Sequence, residues 1–305
     1  MQYVYVDNLC YNRLGDIMGN NYKTAIIMEG GALRGIFTCG VIDVLLENGI
    51  TFDGAAGISA GAVLGCNIKS KQIGRGLRYN LKYCKDKRYH SIKSLRKTGD
   101  LFNVEFCYNE LPNKLDIFDT ETFEKNPMKF YCGTTQVSTG KAVFHECIKG
   151  DATDLLWFRA SASMPIVSRV VEIDGEGYSD GGIANSVPYE FMENLGYNRN
   201  LIVLTRPKGY RKKKTKHKFL IKHFLKKMPK IKDAVLSRYI EYNKEMDEID
   251  ERENKGISLV IRPPKALDIS KTEKNPKKIQ ATYDLGRSEA LKRLDEIKKF
   301  LNIES

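Results

Sequence analysis

The sequence predicts an α/β fold, and three observations carry that reading. A short apolar strand, a glycine turn and a helix follow one another twice within about fifty residues, as in alternating α/β units. A continuous apolar run at 200–205, NLIVLT, reads as a buried strand far downstream. Hydrophobic residues make up 42% of the 305 residues, enough for a sizeable core.

The first strand is TAIIM at 24–28. EGGALRG follows at 29–35, then a helix over 35–49 in which Ile36, Val41, Val44 and Leu45 share a face and Gly49 is the stop. Residues 52–57 form the second strand and 60–68 the helix after it. Residues 70–127 are basic, lack long apolar runs and read as helices and loops. KFYCGTTQV at 129–137 is rich in β-branched and aromatic residues and reads as a strand. Asp151 can cap a helix carrying Leu155, Leu156, Trp157 and Phe158, which ends before Met164 because Pro165 follows. Residues 168–173 and 177–179 read as a hairpin turning at Asp174 and Gly175. Beyond Arg206 come lysine-rich helices, a last strand at 258–261 and a closing helix over 277–301. There is no internal repeat and no low-complexity linker.

A net charge of +12 suggests an anionic partner, either acidic lipid or nucleic acid. Seven cysteines, an odd number without a CxxC pair, read as reduced thiols of a cytosolic protein and not as disulfides or a zinc site. The first twenty residues have no basic segment followed by an apolar run, so no secretory leader is expected. No stretch of about 18 apolar residues exists, so no membrane span is expected.

The chemistry is concentrated in three short motifs. The first is GISAG, Gly57 to Gly61 with Ile58 and Ala60 inside, centred on Ser59 between a strand and a helix. A serine hydroxyl attacks an ester only if it is exposed, has a base, and has donors for the oxyanion. A sharp strand-to-helix turn supplies the exposure, and its crowding requires small residues two before and two after the serine. The helix from Ala60 aims free N–H groups and its positive end at the same place. With 25 Gly in the chain, chance alone gives roughly 0.1 such pentapeptides, so the match is suggestive rather than decisive. The plainer reading is a serine that only caps a helix.

The second motif is Gly30, Gly31, Ala32, Leu33, Arg34 and Gly35, a turn whose backbone N–H groups can converge on a negative oxygen. It is not a dinucleotide loop, because Ala32 stands where GxGxxG needs its second glycine, and no GxxxxGK[ST] is present. The third is Asp180, Gly181 and Gly182, an acid followed by two flexible residues. Taken alone it is an ordinary Asp-Gly turn of the kind also seen at Asp53 and Asp174.

Together and in this order, these three motifs resemble the patatin-like phospholipase family, bacterial members in particular. The block RASASMPIVSRVVEIDGEGYSDGGIANSVP at 159–188 is similar to the family's region through its acid. The resemblance covers about 22–206 and implies a catalytic domain there. Residues 207–305 are then a basic helical extension that packs on or completes that domain. The implied fold is a three-layer α/β/α sandwich with a mostly parallel central sheet. The implied activity is phospholipase A or lysophospholipase-like cleavage of lipid carboxylic esters. Ser59 would be the nucleophile and Asp180 the base of a dyad, with the N–H groups around Gly30, Gly31 and Ala32 as the oxyanion hole. No metal and no cofactor are implied. The family usually has glycine at the position of Ala32. If the loop needs φ > 0 there, alanine costs about 1 kcal/mol or more. A free aspartate, with a pKa near 3.9, is a weak base; burial would raise it.

A conventional triad would need a histidine after the acid, and only His217 and His223 qualify. Both sit in RKKKTKHKFLIKHFLKK and read as solvated. Ser161 and Ser163 lack flanking glycines and read as packing beside the elbow, and Arg34 as holding its loop or a lipid phosphate. Segment 206–232 has thirteen Lys/Arg and no acid. Ile221, Phe224, Leu225 and Met228 form a helical stripe in it, flanked by lysines. Such a helix either lies on an anionic membrane, at the inner membrane surface of a cytoplasmic protein, or packs its stripe on the protein body. Nucleic acid is disfavoured, since no recognition motif is present. The competing reading of the whole is a non-catalytic basic adaptor on a hydrolase scaffold.

Overall fold

The computed structural model describes residues 22–303; Cys10 and the stretch read as free of a leader lie outside the described residues. Along the strand Thr24–Met28 (β1), Ala25 and Ile27 face one hydrophobic layer while Ile26 and Met28 face the other. Both faces are covered, which is why the strand is an unbroken apolar run in the sequence.

A 3-10 turn at Ala32–Gly35 leads into helix α1 (Ile36–Glu47). Strand β2 (Gly54–Ile58) and helix α2 (Ala60–Val63) follow. Where the sequence predicts one helix over 60–68, the chain makes a single α turn and then a 3-10 turn at Gly65–Ile68. Glycines at 61 and 65 weaken the helix, and a Cβ at Gly65 would run into the Met28 sulfur at 2.5 Å. Residues 70–127 hold α3 (Arg75–Tyr83), α4 (Ile92–Thr98), a wide π-type turn over Phe106–Leu115 and α5 (Thr120–Lys125).

Strand β3 (Lys129–Gln136) pairs with β4 (Ala142–Cys147), a strand the sequence reading lacks. Asp151 caps α6 (Ala152–Ser161) by accepting the Thr153 N–H at 3.0 Å. The expected hairpin is β5 (Val171–Ile173) and β6 (Glu176–Asp180). Its turn residues Asp174 and Gly175 both have positive φ, as a tight two-residue hairpin turn requires. Helix α7 (Tyr189–Asn194) and strand β7 (Arg199–Val203) come next. The C-terminal region holds α8 (Lys218–Phe224), the 26-residue α9 (Pro229–Asn254), β8 (Ser258–Ile261), α10 (Pro276–Lys292) and α11 (Leu294–Phe300).

The strands β3-β2-β1-β7-β8 are parallel, and β8 pairs directly with β7. One hydrophobic layer joins the sheet to α1, α6, α10 and α11, and the other joins it to α7 and α9. The result is an α/β/α sandwich with a mostly parallel sheet and a helical C-terminal region. Helices α1 and α10 touch through glycines: a Cβ on Gly40 would collide with the Tyr283 carbonyl, and one on Gly286 with the Phe37 carbonyl. Among the described residues no helix is long and apolar enough to cross a membrane.

Candidate active site

The register of β3 brings two strand ends together. Gly133 is opposite Ile58 of β2 and Phe144 of β4, so β2 and β4 lie on opposite edges. Thr134, the next residue, is opposite Val143 of β4 and Asp180 of β6. Strand β6 therefore runs antiparallel along the same edge as β2, and the two end head to head. Ser59 is the residue after β2 and Asp180 the last of β6, so they meet where the two strands stop. The Ser59 side chain lies beside the Asp180 carboxylate, close enough to pull its pKa down.

The elbow is as tight as the sequence implies. Ser59 has φ +53°, a conformation that strains any residue with a Cβ. A Cβ on Gly57 would collide with the Gly61 carbonyl, and one on Gly61 with the Met28 carbonyl. Ile58 and Ala60 are buried on either side. The Ser59 N–H donates to Ser161 Oγ at 2.8 Å, and that hydroxyl donates to the Gly133 carbonyl at 2.6 Å. Two residues on, the Ser163 carbonyl accepts the Asp180 N–H at 2.9 Å and the Ser179 hydroxyl at 2.8 Å. One short segment at the C-terminal end of α6 thus holds both Ser59 and Asp180. Sequence reasoning treats these serines only as packing neighbours, because nothing local marks their long-range partners.

Asp180 is buried, 4% exposed. Burial pushes its carboxyl above the ordinary range; Arg238, the Ser59 hydroxyl, the Gly182 N–H and Lys212 pull the other way. Its Oδ1 accepts the Gly182 N–H at 2.9 Å, and Gly181 packs flat on the Gly133 carbonyl.

The glycine loop lies against the elbow: a Cβ on Gly30 would meet the Ile58 carbonyl at 2.9 Å and Ser59 Cβ at 3.0 Å. Ala32 has φ +50°, so the alanine carries the left-handed strain that glycine would avoid. Among the described residues, the N–H groups of Gly30, Gly31 and Ala32 have no backbone partner. Leu33 is buried in an apolar cluster with Ala60 and Leu64, and Gly35 packs under those two residues. Glu29, just before the loop, is held by the Tyr242 hydroxyl of α9 at 2.9 Å and by the Thr205 hydroxyl at 3.0 Å. The C-terminal region therefore braces this loop, a link the sequence does not advertise.

Two chambers open from Ser59 and share Ala32, Ser59 and Met164. One, about 120 Å³, is lined largely by apolar side chains, Leu33, Val63, Leu64, Leu111 and Phe158 among them. The other, about 380 Å³, is lined by Arg34, Arg206, Lys212, Lys213, Arg238 and Lys271, with Glu29 and Asp180 its carboxylates among the described residues. Segment 206–232 is thus partly a wall of the site. Its helical stripe is also split: Ile221 and Leu225 are buried against Ile183 and Ile231, while Phe224 is exposed beside Phe219 and Leu220.

None of His90, His145, His217 and His223 lines either chamber. The sequence suggests no metal cluster, yet His145, Cys147 and Asp154 do lie close together. Asp154 already accepts His145 Nε2 at 3.1 Å and the N–H groups of Lys149 and Gly150. Six cysteines among the described residues are free thiols.

Residues 26–192 match the patatin-like phospholipase family, and residues 228–302 match a domain of unknown function, DUF6363. The uncharacterized protein YjjU of Escherichia coli K12 is 26% identical over 191 residues, covering 61% of this chain and 52% of that protein. Lysophospholipase NTE1 of Chaetomium globosum is 26% identical over 188 residues, covering 57% of this chain and 11% of its own length. The solved structure of VipD from Legionella pneumophila aligns over 90% of this chain and 67% of that one, with a TM-score of 0.44 and 12% identity. The chain thus spans about half or less of the length of these curated relatives. The family match extends over more than half of the 305 residues, and the chain belongs to the patatin-like phospholipases.

Proposed function

We propose that the chain is a serine acyl hydrolase that cleaves lipid carboxylic esters, in the manner of a phospholipase A or lysophospholipase, through Ser59 and Asp180. The observation that carries this is the head-to-head ending of β2 and β6 on one edge of β3, which sets the Ser59 hydroxyl beside the buried Asp180 carboxylate. In this reading Ser59 Oγ attacks the ester carbonyl carbon and its proton passes to Asp180. The carbonyl oxygen becomes an oxyanion received by the N–H groups of Gly30, Gly31 and Ala32. The tetrahedral intermediate collapses, the alcohol leaves with the proton from Asp180, and the acyl group stays on Ser59. Water, deprotonated by Asp180, then releases the acid. Burial raises the basicity that an ordinary aspartate lacks.

The acyl chain occupies the apolar chamber. The exposed Phe219, Leu220 and Phe224, beside the exposed Lys218 and Lys222, are the surface that meets an anionic membrane. The test is labelling with a fluorophosphonate probe and hydrolysis of a short nitrophenyl ester. Wild type should label and turn over, and Ser59→Ala should do neither. Labelling that survives Ser59→Ala would sink the assignment.

A further inference from the structure

We infer that the cationic chamber seats the head group of the substrate, and that this head group is an anionic phosphate with no positive charge of its own. The inference rests on the ester-hydrolase reading, since it states what the alcohol side of that ester carries.

The chamber has six basic side chains against two carboxylates. Both carboxylates are already engaged: Glu29 with Thr205 and Tyr242, Asp180 with Ser59 and Gly182. Among the described residues, none of the six cations has an ion pair within 4 Å. The Nε atoms of Arg34 and Arg238 are buried without a hydrogen-bond partner. Unpaired buried donors of this kind are costly unless something accepts from them.

Neighbouring acid does not fill the gap. Glu245 neighbours Lys212 and Arg238, but burial pushes its carboxyl up to about 8, which weakens it as their counter-ion near neutral pH. Burial, and then Arg238, push Lys212 down to about 7. An anion between these groups relieves both the desolvation and the repulsion; phosphate does so best, because its several oxygens accept from guanidinium and ammonium donors at once.

The geometry selects a head group. The two chambers meet at Ser59, so an ester held there has its acyl chain on one side and its alcohol on the other. The chamber's tyrosines do not form a cage for a quaternary amine. Arg206 covers the Tyr210 ring at 4.4 Å, Lys212 covers the Tyr242 ring at 4.0 Å, and Lys214 lies over the Tyr239 ring at 5.9 Å. A phosphocholine head would bring a cation into a wall of cations.

The test uses lipids too short to form bilayers, which removes membrane docking from the comparison. The expected result is that kcat/KM for dihexanoyl phosphatidate exceeds that for dihexanoyl phosphatidylcholine by about tenfold or more, a difference of about 1.4 kcal/mol. Arg238→Gln should reduce that ratio about fivefold. Lys271→Gln, in an exposed position, should also lower it and guards against misfolding of the first variant. Calorimetry on the Ser59→Ala chain with glycerol 3-phosphate, and separately with inorganic phosphate, reads the chamber without turnover. Equal kcat/KM for the two lipids, or a ratio unmoved by both variants, overturns the proposal. So does binding of inorganic phosphate with no lipid preference, which makes the chamber a site for free phosphate. If no ester is cleaved at all, the hydrolase reading fails and calorimetry decides alone: glycerol 3-phosphate binding weakened by Arg238→Gln supports the chamber, and no binding overturns it.

Discussion

The two chambers at Ser59 differ in where their walls come from. The apolar one is built from side chains between Ala32 and Ser168, all inside the region matched to the patatin-like family. The cationic one takes its floor from the glycine loop and its walls from Arg206, Lys212, Lys213, Arg238 and Lys271, all beyond that match. The first is closed by burying hydrocarbon, which needs only shape. The second holds unpaired cations together, which needs an anion or costs stability. On the reading proposed, one centre at Ser59 has an acyl side inside the family match and a head-group side written by the C-terminal region.

The comparison collapses if the shared centre is wrong, and that test has the largest expected effect. Ser59→Ala and Asp180→Asn should each lower kcat on a short nitrophenyl ester by roughly 10⁴-fold with unchanged far-ultraviolet dichroism. Because burial raises the Asp180 pKa, and the base works ionised, kcat/KM should fall as pH drops through a value above the ordinary carboxylate range near 3.9. Asp180→Asn with near-normal turnover would remove Asp180 as the base, and a retained acid limb in that variant would assign the limb elsewhere.

The apolar side can be blocked separately. Val63 ends α2 and faces that chamber. Val63→Trp should reduce kcat/KM for a decanoyl ester about tenfold more than for an acetyl ester, since only the long chain needs the space. Equal losses on both esters would mean that the acyl chain lies elsewhere.

A smaller effect separates two sets of lysines that look alike in the sequence. Lys212 and Lys213 line the chamber, whereas Lys218, Lys222 and Lys226 are exposed and do not line it. Changing those three to Gln should lower turnover of anionic vesicles about three- to fivefold and flatten its salt response, because exposed charges are screened within about 8 Å at physiological ionic strength. Turnover of a monomeric ester should change much less. A loss of the same size on both substrates would make α8 a structural element.

This division also explains what the sequence could tell. The α/β alternation, the Gly57 to Gly61 elbow and the Asp151 cap were legible because each is local: a run, a spacing or a cap. The meeting of Ser59 with Asp180 depends on β2 and β6 sharing an edge of β3, and strand pairing leaves no mark in either strand alone. Strand β4, AVFHEC, was missed because its polar residues break the apolar pattern, although pairing with β3 holds it in place. Lys212 reads as one cation among thirteen in its segment; only the fold turns it toward Tyr242 and Arg238. The stripe over 221–228 reads as one continuous helix, but α8 ends at Phe224, and Phe224 alone of the stripe stays exposed.

The smallest predicted effect concerns Ala32, which borders both chambers as Ser59 does. The two residues share a positive backbone φ, +50° at Ala32 and +53° at Ser59. At Ser59 the strain comes with the proposed nucleophile, since glycine in its place would have no side chain to attack with. At Ala32 no comparable need exists, because the group assigned to catalysis is the backbone N–H. Holding alanine in the left-handed region costs about 1–2 kcal/mol relative to glycine. Glycine forfeits about 0.4–1 kcal/mol of that through the greater freedom of its unfolded chain. Ala32→Gly should therefore stabilise the protein by roughly 0.5–1 kcal/mol, an increase of about 1–3 °C in Tm by calorimetry. The backbone keeps its path, so turnover of the short ester should stay within about twofold. A lower Tm would mean that the Ala32 methyl packs more favourably than its backbone is strained. A tenfold loss of turnover at unchanged Tm would show that this methyl sets the neck between the two chambers, and that their separation depends on it as well as on charge.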